Sequence, residues 1–233
     1  MYHVTICLFQ KIDIAAAPMF ATQHRLRAVD MTVPYMDVRA TVLLRKPPRG
    51  AEPKITSLED LINQSEIKFG TLNAGVIKHA FRTSNSSVYK IMWRRMLRFK
   101  NGALTRTNQE GIHKVRHEKY AFILPNTIGE YISMRPPCDL ITLDPFLMTR
   151  GYSLGVQKGS VLLPKLSSAI ESLRKKGVLA RLRRKWWLGR NVCDGVISSK
   201  VYSVHSASPV TSQRLDVMSV LLVFVSSTSA VFV

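Results

Sequence analysis

Acidic side chains are scarce in this sequence. Asp and Glu total 15 against 34 Lys and Arg, which leaves a formal net charge of +19 and a pI near 10.3. So basic a chain invites a polyanionic partner, nucleic acid or an anionic membrane face. The excess is spread along the chain rather than gathered in a basic tail, which argues against nucleic acid. Cysteine is scarce too. Three residues are too few for a disulfide scaffold, and no CxxC or Cys/His spacing suggests zinc. His113 and His117 share a spacing of four that suits a metal on a helix, but no third ligand is near in sequence, so they read as solvated surface histidines. No metal and no cofactor is expected. The first ten residues lack the basic n-region and long apolar h-region of a signal peptide. No internal repeat is visible, and no nucleophile–base pair stands out, so an enzyme is not expected.

What is present is a folded chain. Its 233 residues allow one or two domains with a real core, and 46% hydrophobic with 21% charged residues excludes a disordered chain. Apolar runs at 41–44, 67–71, 120–124, 140–143 and 152–156 read as strands. Helical spacing marks 58–62, 73–81, 88–99, a helix capped by Asn108, one from 125 to Met134, a long one carrying Leu162 to Leu173, and 178–187 after Gly177. Thr56 and Ser57 with Asp60 look like a capping box. Residues 45–53 are a Pro-rich linker. Strands alternating with helices predict an α/β fold. In residues 88–99, Arg94, Arg95 and Arg98 interleave with Trp93 and Phe99. That pattern suits nucleic acid, and it equally describes the solvated face of a core helix.

The most informative stretch is residues 12–36. A short apolar run stopped by Pro18 reads as a buried strand. Thr22 is the N-cap of a short helix with Arg25 in its first turns, and Pro34 forces Val33 into extended space. A strand, a turn, a helix presenting an arginine and a return strand make an anion site, because the guanidinium offers a planar fork to a carboxylate. The plainer reading is a surface arginine on a short helix. Asn73-Ala74-Gly75 likewise opens a helix whose N-terminus suits an anion, or is an ordinary βα loop.

Pro18, Arg25, Asp30, Pro34 and Met36 fall on the pattern that ends the first ligand-binding segment of ionotropic glutamate receptors. The register continues through Ser57-Leu58-Glu59-Asp60-Leu61, Gly70-Thr71, Met92-Trp93, Asn108-Gln109-Glu110-Gly111, Tyr120-Ala121-Phe122, Glu130-Tyr131, Cys138, Gly151-Tyr152, Lys158-Gly159-Ser160, Trp186-Trp187 and Cys193. The chain resembles that family, kainate and AMPA types above all, over about four fifths of its length. The resemblance implies a periplasmic-binding-protein-like two-lobed clamp with lobe one incomplete and a short C-terminal membrane helix. Residues 1–37 are then a remnant of lobe one and 38–150 lobe two. Residues 151–193 return to lobe one, 194–214 are a linker, and 215–233 a truncated transmembrane helix. It further implies that Arg25 grips a ligand carboxylate, with Pro18, Val76, Ile77 and Tyr152 at the same site, and that Cys138 pairs with Cys193. Cys7 has no counterpart.

The departures are as informative. The family's amine-binding carboxylate falls on Pro125, its Ser-Thr pair on Val76-Ile77, and a threonine after Pro18 on Phe20. These changes point away from glutamate and toward a less polar carboxylate or no ligand. The pore segment has no counterpart between Leu44 and Pro53, where no apolar run nears the ~20 residues of a membrane span. Most of the first ligand-binding segment is missing as well, so the chain reads as a truncated gene model or splice product, unable to conduct ions alone. Residues 217–233 carry no charge and sit at the lower end for a span, or form a buried C-terminal strand. The expected partners are an amino acid or other small carboxylate, receptor subunits and the plasma membrane, with the binding region extracellular. The alternative is a basic protein that binds nucleic acid or an anionic membrane surface.

Overall fold

The computed structural model describes residues 12–48, 51, 55–99, 102–188 and Cys193. The strands are β1 (Ile14–Phe20), β2 (Asp30–Met31), β3 (Met36–Arg45), β4 (Lys68–Leu72), β5 (Leu104–Thr105), β6 (Tyr120–Pro125) and β7 (Leu140–Val156). They join one sheet in the order β1-β7-β3-β6-β4-β5, with β2 also against β7. β6, β4 and β5 run parallel, and the other pairs are antiparallel.

The parallel part is covered on both faces, as buried parallel strands require. Alternate residues of β3 and β6 go to opposite sides, because successive side chains of a strand point to opposite faces. Ala40, Val42 and Leu44 with Ala121 and Ile123 enter one core. Leu43, Tyr120, Phe122 and Leu124 enter the other. The first helix, α1, is Gln23–Ala28, and three others cover the first core: α2 (Leu58–Asn63), α3 (Gly75–Thr83) and α4 (Ser87–Arg98) supply Leu61, Ile77, Phe81, Met92 and Met96. The second core is covered by α5 (Asn108–His117) and α6 (Asn126–Ser133) through Val115, Ile112, Ile128 and Ile132. Capping places the helix starts. Ser57 accepts from Asp60 N at 3.0 Å while the Asp60 carboxylate accepts from Ser57 N at 2.9 Å, a full capping box.

β3 and β7 form a long two-stranded ribbon whose register runs from Met36 opposite Tyr152 to Arg45 opposite Leu140. At its far end β1, α1 and β2 pack on it around a small core of Ala15, Met19 and Val29. The chain then closes with α7 (Leu162–Lys175), α8 (Val178–Arg183) and a π-helical turn, Arg184–Leu188. Gly177, at φ 68°, takes the left-handed conformation that separates α7 from α8.

Several expectations need correction. Pro18 does not stop β1. The strand is at the sheet edge and its register shifts between Ala15 and Met19, so the missing N–H costs no ladder bond. The two strands expected at 140–143 and 152–156 are one, because β3 pairs with β7 along both ends. Thr107, not Asn108, caps α5, accepting from Glu110 N at 3.1 Å. The last helix ends at Arg183 and continues as a π turn rather than running on to Trp187. The helix expected over 215–233, the linker expected over 194–214 and Cys7 lie outside the described residues. Among the described residues no helix is long and apolar enough to cross a membrane.

Candidate functional site

Strand direction brings one edge of the sheet into focus. Thr71 lies opposite Ile123, and Leu72 opposite Thr105, so β4, β5 and β6 end level with one another. Each is followed by a helix, α3, α5 and α6, whose N-terminus starts at that edge. Open α/β sheets take ligands outside the carboxyl ends of their strands, where free N–H groups and helix dipoles converge. Ala40 pairs with Pro125, so Met36 to Arg39 and their partners on β7 continue past this edge toward β1 and the helix of Arg25.

Arg25 is positioned by its own helix. Thr22 accepts from Arg25 N at 3.4 Å as the N-cap, and Arg25 Nη1 donates to the Phe20 carbonyl at 3.0 Å. The C-terminal end of α1 is fixed by Lys158, which donates to Leu26 O at 2.9 Å and to Asp30 at 2.7 Å. That bond from Lys158, with a second from Gly159 N, holds the Asp30 carboxyl below its usual range.

Tyr152 connects this arm to the strand edge. It is opposite Phe20 in the β1–β7 pairing, and the two rings lie 4.7 Å apart, tilted. Tyr35 flanks it at 6.5 Å and donates its backbone N–H to the Tyr152 carbonyl at 2.8 Å. Burial pushes the Tyr152 phenol up, while a hydrogen bond with the Thr127 side chain pulls the other way. Burial also raises Tyr35, with the neighbouring Tyr152 adding to it. A continuous set of contacts therefore links Arg25, Phe20, Tyr152 and Thr127, just after Pro125.

Pro125 ends β6 and precedes the first turn of α6, with φ −59°. The next residue, Asn126, is buried. Its Oδ1 accepts from Arg39 N at 2.9 Å, beside the register shift between Arg39 and Ala40. Its Nδ2 donates to Glu130 at 2.9 Å. Glu130 also takes a bond from Arg183 at 2.7 Å, so the carboxylate on this helix already has two partners.

Val76 and Ile77 occupy the first turn of α3, directly after β4. No side chain caps that helix. Ile77 is buried in the first core and Val76 packs against it, so only their backbone N–H groups remain for a ligand. Pro18 lies within β1, exposed, before Met19 turns into the small core. Arg25, Phe20 and Tyr152 are thus brought together, with Pro125 at the neighbouring strand end and Val76–Ile77 one strand further along the same edge.

Sequence reasoning missed Asn126, Thr127 and Trp187 as parts of this region. Trp187 Nε1 donates to the Thr127 carbonyl at 2.8 Å, and its ring meets Tyr131 edge-on at 6.2 Å. Cys138 and Cys193, the pair that the resemblance implies, are joined by a disulfide. Only a Pro-Asn step at a strand end hinted at Asn126. No group of three or more His, Cys, Asp and Glu that could hold a metal exists among the described residues.

A family model described as bacterial extracellular solute-binding proteins, family 3, matches residues 8–189. The chain is similar to "Glutamate receptor 3" of Mus musculus, Homo sapiens and Rattus norvegicus, 38% identical to each over 141 residues. That match covers 60% of this chain and 16% of each relative, so it spans only a small part of their length.

Proposed function

The chain belongs to the bacterial extracellular solute-binding proteins, family 3, and carries a ligand-binding region of the ionotropic glutamate receptor kind; from that premise we propose that it is a two-lobed clamp whose glutamate site is degenerate. This is a binding family and not an enzyme family. Lobe two is residues 38–150, built on the two large cores, and residues 1–37 with 151–193 make the smaller side. The β3–β7 ribbon connects them. Between Arg45 and Leu58 the sequence has no apolar stretch near the ~20 residues of a membrane span, so this region does not conduct ions by itself.

One observation carries the reading of the site. Pro125 stands where the resemblance assigns the carboxylate that takes a ligand's amino group, and the nearby Glu130 is already held by Asn126 and Arg183. A desolvated ammonium left without its carboxylate loses roughly 2–5 kcal/mol. Val76 and Ile77 turn their side chains to the core and offer no hydroxyl to a distal carboxylate. Arg25 keeps a fork for a carboxylate, and Phe20 with Tyr152 adds aromatic cover. The site therefore suits a small, less polar carboxylate better than glutamate. The Cys138–Cys193 bridge supports an oxidising location, and the likeness to glutamate receptors supports the outer face of the plasma membrane, beside other receptor subunits.

Calorimetry on the full chain with its disulfide intact tests this. Glutamate is expected to give no measurable heat, while a small monocarboxylate binds and loses binding on Arg25→Ala. Micromolar glutamate affinity that disappears on Arg25→Ala overturns the degenerate-site reading.

A further inference from the structure

One basic face of the described surface lies on the helix that follows α3. From Asn73 to Phe99 the sequence contains no aspartate or glutamate, and it supplies both helices α3 and α4. On α4 the outward positions are Ser87, Lys90, Ile91, Arg94, Leu97 and Arg98, one stripe at helical spacing. Met92 and Met96 on the opposite side are buried in the first core. Within the outward stripe Ile91 is 38% and Leu97 56% exposed, flanked by Lys90, Arg94 and Arg98. Arg82 on α3 is exposed as well.

The aromatic residues do not belong to this face. Trp93 and Phe99 pack against the core, and Phe99 lies edge-on to Phe69 at 5.8 Å. Arg95 is likewise withdrawn, donating to Gln64 O at 2.6 Å with its guanidinium over Phe69. Single-stranded nucleic acid is held by aromatic platforms within a basic groove, and this face has none. What it has is branched aliphatic side chains set among cations on a helix lying along the surface. Its apolar face is taken by the core, so what it offers a bilayer is cations for anionic headgroups and the exposed tips of Ile91 and Leu97.

We propose that the outward face of α4, with Lys90, Ile91, Arg94, Leu97 and Arg98 as its contacts and Arg82 beside them, docks on an anionic lipid surface. Charge complementarity supplies the attraction, and Leu97 and Ile91 supply the apolar insertion. The assignment does not depend on whether the clamp binds a carboxylate.

Co-sedimentation of the full chain with vesicles tests it. Binding to phosphatidylcholine alone sets the baseline, and vesicles that also contain phosphatidylserine are expected to bind the chain more tightly, with the gain lost in high salt. Lys90→Gln, Arg94→Gln and Arg98→Gln should each weaken that gain about fivefold. Leu97→Ser should weaken it several-fold, whereas neutralising the exposed Lys165, Lys175 and Lys176 on and beside α7 should leave it nearly unchanged. All of these positions are exposed, and a thermal unfolding scan verifies that each variant folds. If the triple Gln variant binds phosphatidylserine vesicles as the original chain does, the face is not the docking surface. If Leu97→Ser changes nothing while the Gln variants lose binding to a single-stranded oligonucleotide, the partner is nucleic acid and the proposal falls.

Discussion

Trp187 donates its indole N–H to the backbone carbonyl of Thr127, 2.8 Å away, and so fastens the end of the last helical segment to the start of α6. The same tryptophan meets Tyr131 edge-on, and Arg183 one turn earlier pairs with Glu130 at 2.7 Å. Removing only the hydrogen bond, by Trp187→Phe, is expected to cost about 1 kcal/mol. Trp187→Ala also removes the ring contact and is expected to cost about 3 kcal/mol. Urea unfolding of the two variants checks the difference. A Trp187→Phe variant as stable as the original would show that the indole N–H contributes nothing, and equal losses would show the same of the ring contact.

Gly70 sits in the middle of β4 where the backbone of Ala103 passes closest. A Cβ there would lie 1.6 Å from the Ala103 carbonyl oxygen and 2.5 Å from Tyr120 Oη. The obstacle is largely backbone, and the Tyr120 hydroxyl is bonded to that same carbonyl at 2.7 Å. Gly70→Ala is therefore expected to destabilise by about 3 kcal/mol or more, at the upper end for overpacking. Chemical denaturation reads this directly, and a variant as stable as the original would contradict the packing.

Asp60 accepts from Thr56 N, Thr56 Oγ1 and Ser57 N, and these bonds hold its carboxyl down to about 2. Its folded pKa is thus below the unfolded value of about 4. The stabilisation is present above the unfolded pKa and is lost as pH falls through the folded one. Asp60→Ala should remove stability at neutral pH and make little difference below about pH 2. Carboxyl NMR titration with a midpoint near 4 would exclude the capping box.

The Cys138–Cys193 bridge closes a separation of 55 residues. Chain entropy for a loop of that size gives about 4 kcal/mol in favour of the folded state. Replacing both cysteines by serine should lower the unfolding free energy by that order. Peptide mapping without reductant should recover the Cys138–Cys193 link, and a link from Cys7 to either would contradict it.

Local chemistry was legible in the sequence wherever neighbours in the chain decide the outcome. The Thr22 cap of Arg25's helix and the Ser57–Asp60 box both follow from residues three apart. Core strands such as β6 were legible as apolar runs because both of their faces are covered. Long-range pairing was not. β1 survives Pro18 because it is an edge strand, and β7 is continuous because β3 accompanies it, neither of which a local pattern reveals. At the site, Arg25 and Pro125 were found through the family pattern in their own segments. Thr127 and Trp187 were missed because their bond joins residues 60 apart, and nothing in the spacing of either announces the other.

The ribbon of β3 and β7 and the tie at Trp187 and Cys193 together have a mechanical meaning. A two-stranded ribbon bends and twists more readily than a wide sheet, and here β3 is clear of β6 only over Met36 to Arg39, beyond the last pair at Ala40 and Pro125. The tie is a second attachment, made by the Trp187–Thr127 bond and closed covalently by Cys138 and Cys193. A body held at two separated points cannot twist about either one alone. A ribbon joined by a covalent tie permits less relative motion than the ribbon alone.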